Sequence, residues 1–160
     1  MEPVIAANAD LAWMLAAFVF VLLMFPGLAL YYGGMVGARN ILNMMTMVMS
    51  TLGITAIIYV LFGYGLQSGP SVGGWGLIGN PADYLGMTQW MSDDGSGTTQ
   101  TLYYLAWFIL FAAITIAIVA SGAAGRMKFS AWMVFAPIWL IVVYLPVAHW
   151  AVSYTHLRAH

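Results

Sequence analysis

The stretch that decides the fold is Leu102–Ser130, LYYLAWFILFAAITIAIVASGAAGRMKFS. It carries no charge until Arg126 and Lys128, a longer run than the roughly 20 apolar residues that a membrane-spanning helix needs. Aromatic residues are concentrated at its start and small residues at its end. Aromatic side chains favour the membrane interface, and Lys and Arg in short loops stay on the cytoplasmic side. The stretch therefore predicts a membrane-spanning helix whose two ends can be told apart.

The composition of the whole chain also indicates a membrane protein. Of its 160 residues, 63% are hydrophobic and 6% are charged, whereas a soluble domain has about 25% charged residues. Apolar runs of spanning length predict helices at about 11–32, 41–64, 102–124 and 131–149. The expected fold class is all-α, a polytopic integral membrane helical bundle with about four transmembrane helices.

The charged residues are divided between the two sides of the predicted bundle. The acids lie before the first span or between the second and third: Glu2, Asp10, Asp83, Asp93 and Asp94. The short links on the other side hold the bases Arg39, Arg126 and Lys128. Because basic loops stay inside, the N-terminus and the long loop 65–101 are expected outside. The predicted location is the plasma or inner membrane, with the lipid bilayer as a partner.

Several local features carry expectations of their own. Asn8 or Asp10 is expected to cap the first helix, and a short helix is expected near Pro81–Met91 within the outer loop. The methionines 44, 45, 47 and 49 are expected to pack between helices rather than bind a soft metal, since no Cys or His accompanies them. Ala112, Ala113, Ala117 and Ala120 supply small residues for close helix contact. Tyr59 and His149 are expected as anchors at the membrane interface.

Two other patterns in the outer loop are rejected on their context. Residues 74–79, GWGLIG, match a dinucleotide-binding fingerprint, but that fingerprint must open a helix after a buried strand. Asp93-Asp94-Gly95 lacks the alternating oxygen ligands of a calcium loop and is expected to be a solvated turn. The chain has no Cys, and its spans hold no paired carboxylates or metal-ligand cluster. We therefore expect no enzyme, catalytic residue, metal, cofactor or nucleic-acid partner.

Short blocks along the chain carry a specific resemblance. They are NADLAWM at 8–14, PGLALYYGGMV at 26–36, RNILN at 39–43, YVLFGY at 59–64, FAAIT at 111–115, GRMKFSA at 125–131 and YLPVAHW at 144–150. In this order they resemble the ammonium transporter (Amt/Mep/Rh) family, over the first 151 residues. Several blocks in the right order are more specific than any one of them.

The resemblance implies a fold and an activity. The family fold has eleven helices in two inverted repeats, so this chain looks like a fragment, with residues 1–151 supplying its N-terminal helices 1–4. The implied function is ammonium and ammonia transport for nitrogen uptake, with methylammonium as an analogue. A homotrimer and a cytoplasmic P-II type signalling protein are implied as assembly and partner.

The resemblance also implies roles for particular residues. Phe111 matches the family's gate phenylalanine, and Trp107, one helical turn outward, takes the place of a second aromatic at the substrate-binding lid. The matching pore-lining positions are Leu28, Tyr31, Tyr32, Ile114 and Ile118. In this mechanism an outer aromatic site recruits the cation, which passes the gate and is deprotonated, and ammonia crosses an apolar pore.

Two substitutions and a change in composition after residue 151 limit the resemblance. Gly125 replaces a common glutamate of the inner loop, and Val152 stands where the family has its outer-site tryptophan. The polar residues 152–160 are expected to be an atypical tail foreign to the family, and the chain to be truncated and inactive alone. An ammonium sensor coupled to a signalling domain and a small structural four-helix membrane protein remain alternative functions.

Overall fold

The computed structural model of the chain describes residues 2–74, 76–91 and 98–153. Within this part of the chain, four helices are long and apolar enough to cross a membrane: Ala9–Met35, Ala38–Ser68, Leu102–Gly122 and Phe129–Ala151. We refer to them as the first to fourth spans. They confirm the expected all-α class and helix number, and each boundary lies within a few residues of the prediction.

The first and third spans are continuous α-helices, and the other two are not. The α-helices of the first and third spans are Glu2–Met35 and Thr98–Gly122. After a 3₁₀ turn at Ala38–Asn40, the second span consists of the α-helix Ile41–Ile58, a π-helical turn at Tyr59–Gly63 and the α-helix Tyr64–Ser68. The fourth consists of α-helix Phe129–Trp139, π-helical Leu140–Tyr144, α-helix Leu145–Ala148 and π-helical His149–Ser153.

The expected cap of the first helix is wrong. The helix begins at Glu2, so Asn8 and Asp10 lie inside it and not at its N-cap position. Proline is favoured in the first turn of a helix, where its missing N–H has no partner to lose, and Pro3 occupies that place. The apolar residues Val4 to Ala7 continue the helix from there, so that it starts before Asn8 and Asp10.

The second span is the centre of the bundle and packs against each of the other three. Its Met44, Met47 and Val48 are buried, which confirms packing as the role of those two methionines. The four alanines of the third span, Ala112, Ala113, Ala117 and Ala120, are also fully buried, as expected. Because small side chains let helix backbones approach closely, they explain why the second and third spans meet so tightly.

Side-chain hydrogen bonds to backbone carbonyls join the inner ends of the spans. The indole Nε1 of the buried Trp132 donates to Met47 O at 3.0 Å, linking the fourth span to the second. Asn43 Nδ2 donates to Met127 O at 3.1 Å, linking the second span to the turn after the third. Both bonds lie near the end of the bundle that carries the exposed Arg126.

The outer loop folds back onto the end of the second span. Ser71 and Gly79 form an isolated antiparallel bridge, and Gly79 N donates to Leu66 O at 3.0 Å. The expected short helix at Pro81–Met91 is present as 3₁₀ turns, interrupted from Tyr84 to Met87. The described residues of the 74–79 glycine pattern belong to this loop and open no α-helix. Asp93-Asp94-Gly95 lies outside the described residues.

Candidate functional site

A cavity of about 420 Å³ opens in the outer half of the bundle. Its walls come from the second, third and fourth spans, and its lining residues are Gln67, Phe108, Phe111, Tyr144, Val147, Ala148 and Ala151. Most of this lining is apolar, and two of its members, Gln67 and Tyr144, carry polar side chains. An apolar cavity with a few convergent polar groups has the form of a binding site for a small molecule or ion.

The gate candidate Phe111 lines this cavity and stacks on Trp107. The two ring centroids are 5.4 Å apart with an interplanar angle of 24°. Phe111 is 52% exposed, while Trp107 is half-buried and is absent from the cavity lining. Trp107 Nε1 is buried without a hydrogen-bond partner within the described part of the chain. The structure thus brings the two residues together, with Phe111 in the cavity lining and Trp107 outside it.

A second group of aromatic rings continues outward from the cavity. The ring of Tyr64 lies 6.2 Å from Phe108 and 5.2 Å from Tyr84, the latter in an edge-to-face arrangement. Tyr64 therefore connects the cavity wall to the outer loop. Aromatic faces attract cations, so this series of rings suits the approach of a small cation from outside.

The cavity has a polar edge that the sequence did not reveal. Gln67 is 1% exposed, and its Oε1 accepts a hydrogen bond of 2.6 Å from the hydroxyl of Tyr59. The backbone carbonyl of Gln67 lies 2.8 Å from Nδ1 of His149. A carbonyl can only accept, so Nδ1 of His149 carries the proton. These bonds join the second span to the fourth beside the cavity.

Tyr59 and His149 are not interface anchors, which corrects the expectation for both. Tyr59 is 0% exposed and His149 is 2% exposed, because each directs its polar atom to Gln67. The interface rule describes aromatic side chains with one end in water. Neither side chain reaches water here, because the outer loop and the fourth span cover the end of the second.

The polar residues of the site coincide with the π-helical turns. Tyr59 begins the turn in the second span, Tyr144 ends one in the fourth, and His149 begins the next. A π-turn inserts a residue into an α-helix and shifts the direction of the side chains around it, and such turns are frequent at functional sites.

The predicted pore-lining residues lie on other surfaces of the bundle. Leu28, Tyr32 and Ile114 are half-buried against the core, whereas Tyr31 and Ile118 are exposed. The rings of Tyr31 and Tyr32 are 5.5 Å apart. None of these residues lines the outer cavity, and their assignment to a pore stays a prediction.

Two further cavities occupy the inner end. One of them, of about 630 Å³, lies between the third and fourth spans. Its lining is mostly apolar and also contains Arg126 and Lys128. The other, of about 330 Å³, lies between Asn40, Asn43 and the turn at Gly125–Lys128. Both are lined in part by the basic residues Arg126 and Lys128.

The fold and these cavities define the chain as part of a polytopic membrane protein with an aromatic site on one side. The model of the Ammonium Transporter Family matches residues 12–159. An ammonium transporter of Corynebacterium glutamicum is 56% identical over 142 residues, which are 89% of this chain. One of Mycobacterium tuberculosis is 37% identical over 168 residues, covering 95% of the chain. The chain therefore belongs to the ammonium transporter family.

A solved structure agrees with the sequence relatives. The crystal structure of Mep2 from Saccharomyces cerevisiae superposes with a TM-score of 0.74 at 26% identity, and covers 89% of this chain. The chain spans about a third of its relatives: 31% of the Corynebacterium protein, 35% of the Mycobacterium protein and 32% of the Mep2 chain. Its four spans are thus a fragment of the family fold, from the N-terminal part.

Proposed function

We propose that the full-length protein transports ammonium across the cell membrane and that this chain supplies the outer part of the path. The observation that carries the proposal is the outer cavity, which is lined by the aromatic Phe108 and Phe111 together with the polar Gln67 and Tyr144. Two relatives of this family member are named ammonium transporters. The cation would collect in the cavity and pass Phe111.

The energetics favour crossing of the pore as ammonia rather than as the ion. Moving a bare ion of this size into an apolar medium costs of order 20 kcal/mol in the ideal case. A cation–π contact offsets only about 1–2 kcal/mol of that cost. If ammonium has a pKa of roughly 10, as a lysine side chain has, its deprotonation at pH 7 costs about 4 kcal/mol. The aromatic residues therefore recruit and select the cation, and deprotonation near Phe111 lets the neutral molecule continue.

The assembly and the partner are part of the same proposal. The first span exposes large apolar side chains such as Trp13 and Phe20, which suits burial by lipid or by further subunits of a homotrimer. A P-II type signalling protein would bind the opposite, cytoplasmic face near Arg39 and Arg126. Residues 152–160 are still predicted to be an atypical tail that is foreign to the family. Residues 154–160 lie outside the described residues.

Uptake of labelled methylammonium tests the proposal. The full-length gene is expressed in cells that lack their own ammonium transporters, and uptake is compared with cells carrying the empty vector. We expect saturable uptake that added ammonium inhibits competitively. Membrane-inserted protein that gives no uptake above the empty vector would contradict the proposal.

A further inference from the structure

We propose that the side-chain amide of Gln67 is a direct ligand of the transported species in the outer cavity. Tyr59 and His149 are then positioning residues that hold the amide in place. The inference rests on the proposed ammonium transport and adds to it a specific polar contact. Gln67 is a buried polar residue near the outer end of the second span.

The hydrogen bonds of Gln67 leave one of its polar groups available. A buried amide costs free energy unless its donors and acceptor are hydrogen-bonded. Oε1 has Tyr59 and the backbone carbonyl has His149, whereas the described part of the chain gives no hydrogen bond for Nε2, which is not among its fully buried unpaired atoms. Gln67 also lines the cavity, where a small molecule could be its partner. A bound ligand would supply the hydrogen-bond partner that the fold does not provide for Nε2.

The amide can serve both protonation states of the substrate. A tyrosine hydroxyl both donates and accepts, and an amide can exchange the positions of its oxygen and nitrogen by a rotation. With Oε1 towards Tyr59, the Nε2 group donates to the lone pair of ammonia or of a water molecule. With Nε2 towards Tyr59, Oε1 accepts from an N–H of ammonium. In either orientation Tyr59 keeps its hydrogen bond.

His149 fixes the backbone from which the amide extends. Gln67 belongs to the last helical residues of the second span, where carbonyl groups lack a partner within the helix. His149 donates to that carbonyl from the fourth span, 82 residues away in sequence. This bond ties together the two spans that carry Gln67 and Tyr144. The position of the amide relative to Phe111 therefore depends on the packing of the spans and on His149.

The size of the cavity suits a partly hydrated ion. Its volume of about 420 Å³ far exceeds the 10–15 Å³ or so that a water molecule requires. A cation can therefore enter with some of its water and exchange part of that shell for aromatic faces and the amide. Phe108 and Phe111 supply attraction without direction, whereas the amide supplies a directed hydrogen bond. The amide thus adds selectivity for species with N–H groups or a nitrogen lone pair.

Transport kinetics of the full-length protein in liposomes test the proposal. Gln67→Met keeps the length of the side chain and removes its hydrogen bonds. We expect about a tenfold rise in the half-saturating ammonium concentration, the usual effect of losing one hydrogen bond to a charged group. Tyr59→Phe should also raise the half-saturating concentration, but by a smaller factor. The amide is still present in this variant, but without its hydrogen bond to Tyr59 it is free to rotate.

Two controls separate a ligand from a structural residue. Thr55→Val changes another fully buried polar residue of the second span that does not line the cavity, and should leave half-saturation unchanged. Gln67→Glu keeps an oxygen within reach and should return half-saturation towards the unsubstituted value. This variant also keeps the test usable if Gln67→Met fails to fold.

Each outcome of this experiment either supports or overturns the proposal. If Gln67→Met lowers the folded amount or the maximal rate and leaves half-saturation unchanged, Gln67 is a structural residue and the proposal is overturned. An equal rise in half-saturation for Thr55→Val overturns it as well. If the unsubstituted protein moves no ammonium, the proposed function fails first and the ligand role fails with it. A rise confined to Gln67→Met and Tyr59→Phe supports the proposal.

Discussion

In the outer half of the bundle, His149 of the fourth span donates to the carbonyl of Gln67 in the second, and in the inner half Trp132 donates to the carbonyl of Met47. Both bonds join the same two spans, yet their surroundings differ. The outer bond lies next to π-helical turns and a cavity. The inner one connects regular α-helical segments, and the side chain of Trp132 is fully buried.

The same helix pair is closely packed around the buried Met47 and lines a cavity around Gln67. Around Met47 the second and fourth spans are regular helices that pack through buried side chains such as Met47 and Trp132. Where Tyr59 and Tyr144 sit on π-turns, the helices present polar groups to a space between them. The inner half therefore stabilises the bundle, and the outer half holds the candidate site.

The largest expected effect is a loss of stability when the packing of the inner half is disrupted. Trp132→Ala removes a fully buried indole and its bond to Met47 O, so we expect a loss of about 3–5 kcal/mol in the free energy of unfolding. Reversible unfolding of the full-length protein in detergent measures it. The exposed neighbour Met133 provides the control, since Met133→Ala leaves no buried cavity. Similar losses in both variants would contradict the role given to Trp132.

A smaller effect is expected where the outer loop closes over the site. A Cβ at Gly79 would collide with the backbone carbonyl of Gly65, which cannot move as a flexible side chain can. Gly79→Ala should therefore cost about 1–3 kcal/mol. Gly34→Ala is the matched control, because a Cβ there meets nothing and the helix gains a better helix former. Thermal unfolding distinguishes the two, and an unchanged midpoint for Gly79→Ala would count against the close contact.

The smallest effect concerns the link between the inner turns. Asn43→Ala removes the hydrogen bond to Met127 O, and we expect a loss of about 0.5–1.5 kcal/mol. Thr46→Ala serves as the control, since its hydroxyl only bonds carbonyls of its own helix. Denaturant unfolding of both variants tests the difference. Equal stability of the two would mean that Asn43 contributes nothing across the helices.

The sequence was sufficient for the elements that depend on local composition. Apolar run length predicted the four spans, and the small size of Ala112, Ala113, Ala117 and Ala120 predicted their burial. The stacking of Phe111 on Trp107 fits their spacing of one helical turn, while the gate role of Phe111 stays a prediction from the family blocks. The spans, the buried alanines and this stacking follow from residues that lie close together in the chain.

The polar edge of the site could not be predicted in this way. Gln67 and His149 are 82 residues apart, and neither belongs to a local pattern that indicates their contact. The one signal was the amide of Gln67 near the outer end of a largely apolar span. Tyr59 was assigned to the interface because the π-turn that begins there and directs its hydroxyl inward has no sequence signature.

The most direct test of the account compares two phenylalanines at opposite ends of the bundle. Phe111 lines the outer cavity, and Phe129 is an exposed ring at the inner start of the fourth span. Methylammonium uptake by the full-length protein is measured for Phe111→Ala and Phe129→Ala, with ammonium as competitor. The account predicts an altered rate or selectivity for Phe111→Ala alone. Unchanged rate and unchanged selectivity in Phe111→Ala would remove Phe111 from the gate and contradict the account.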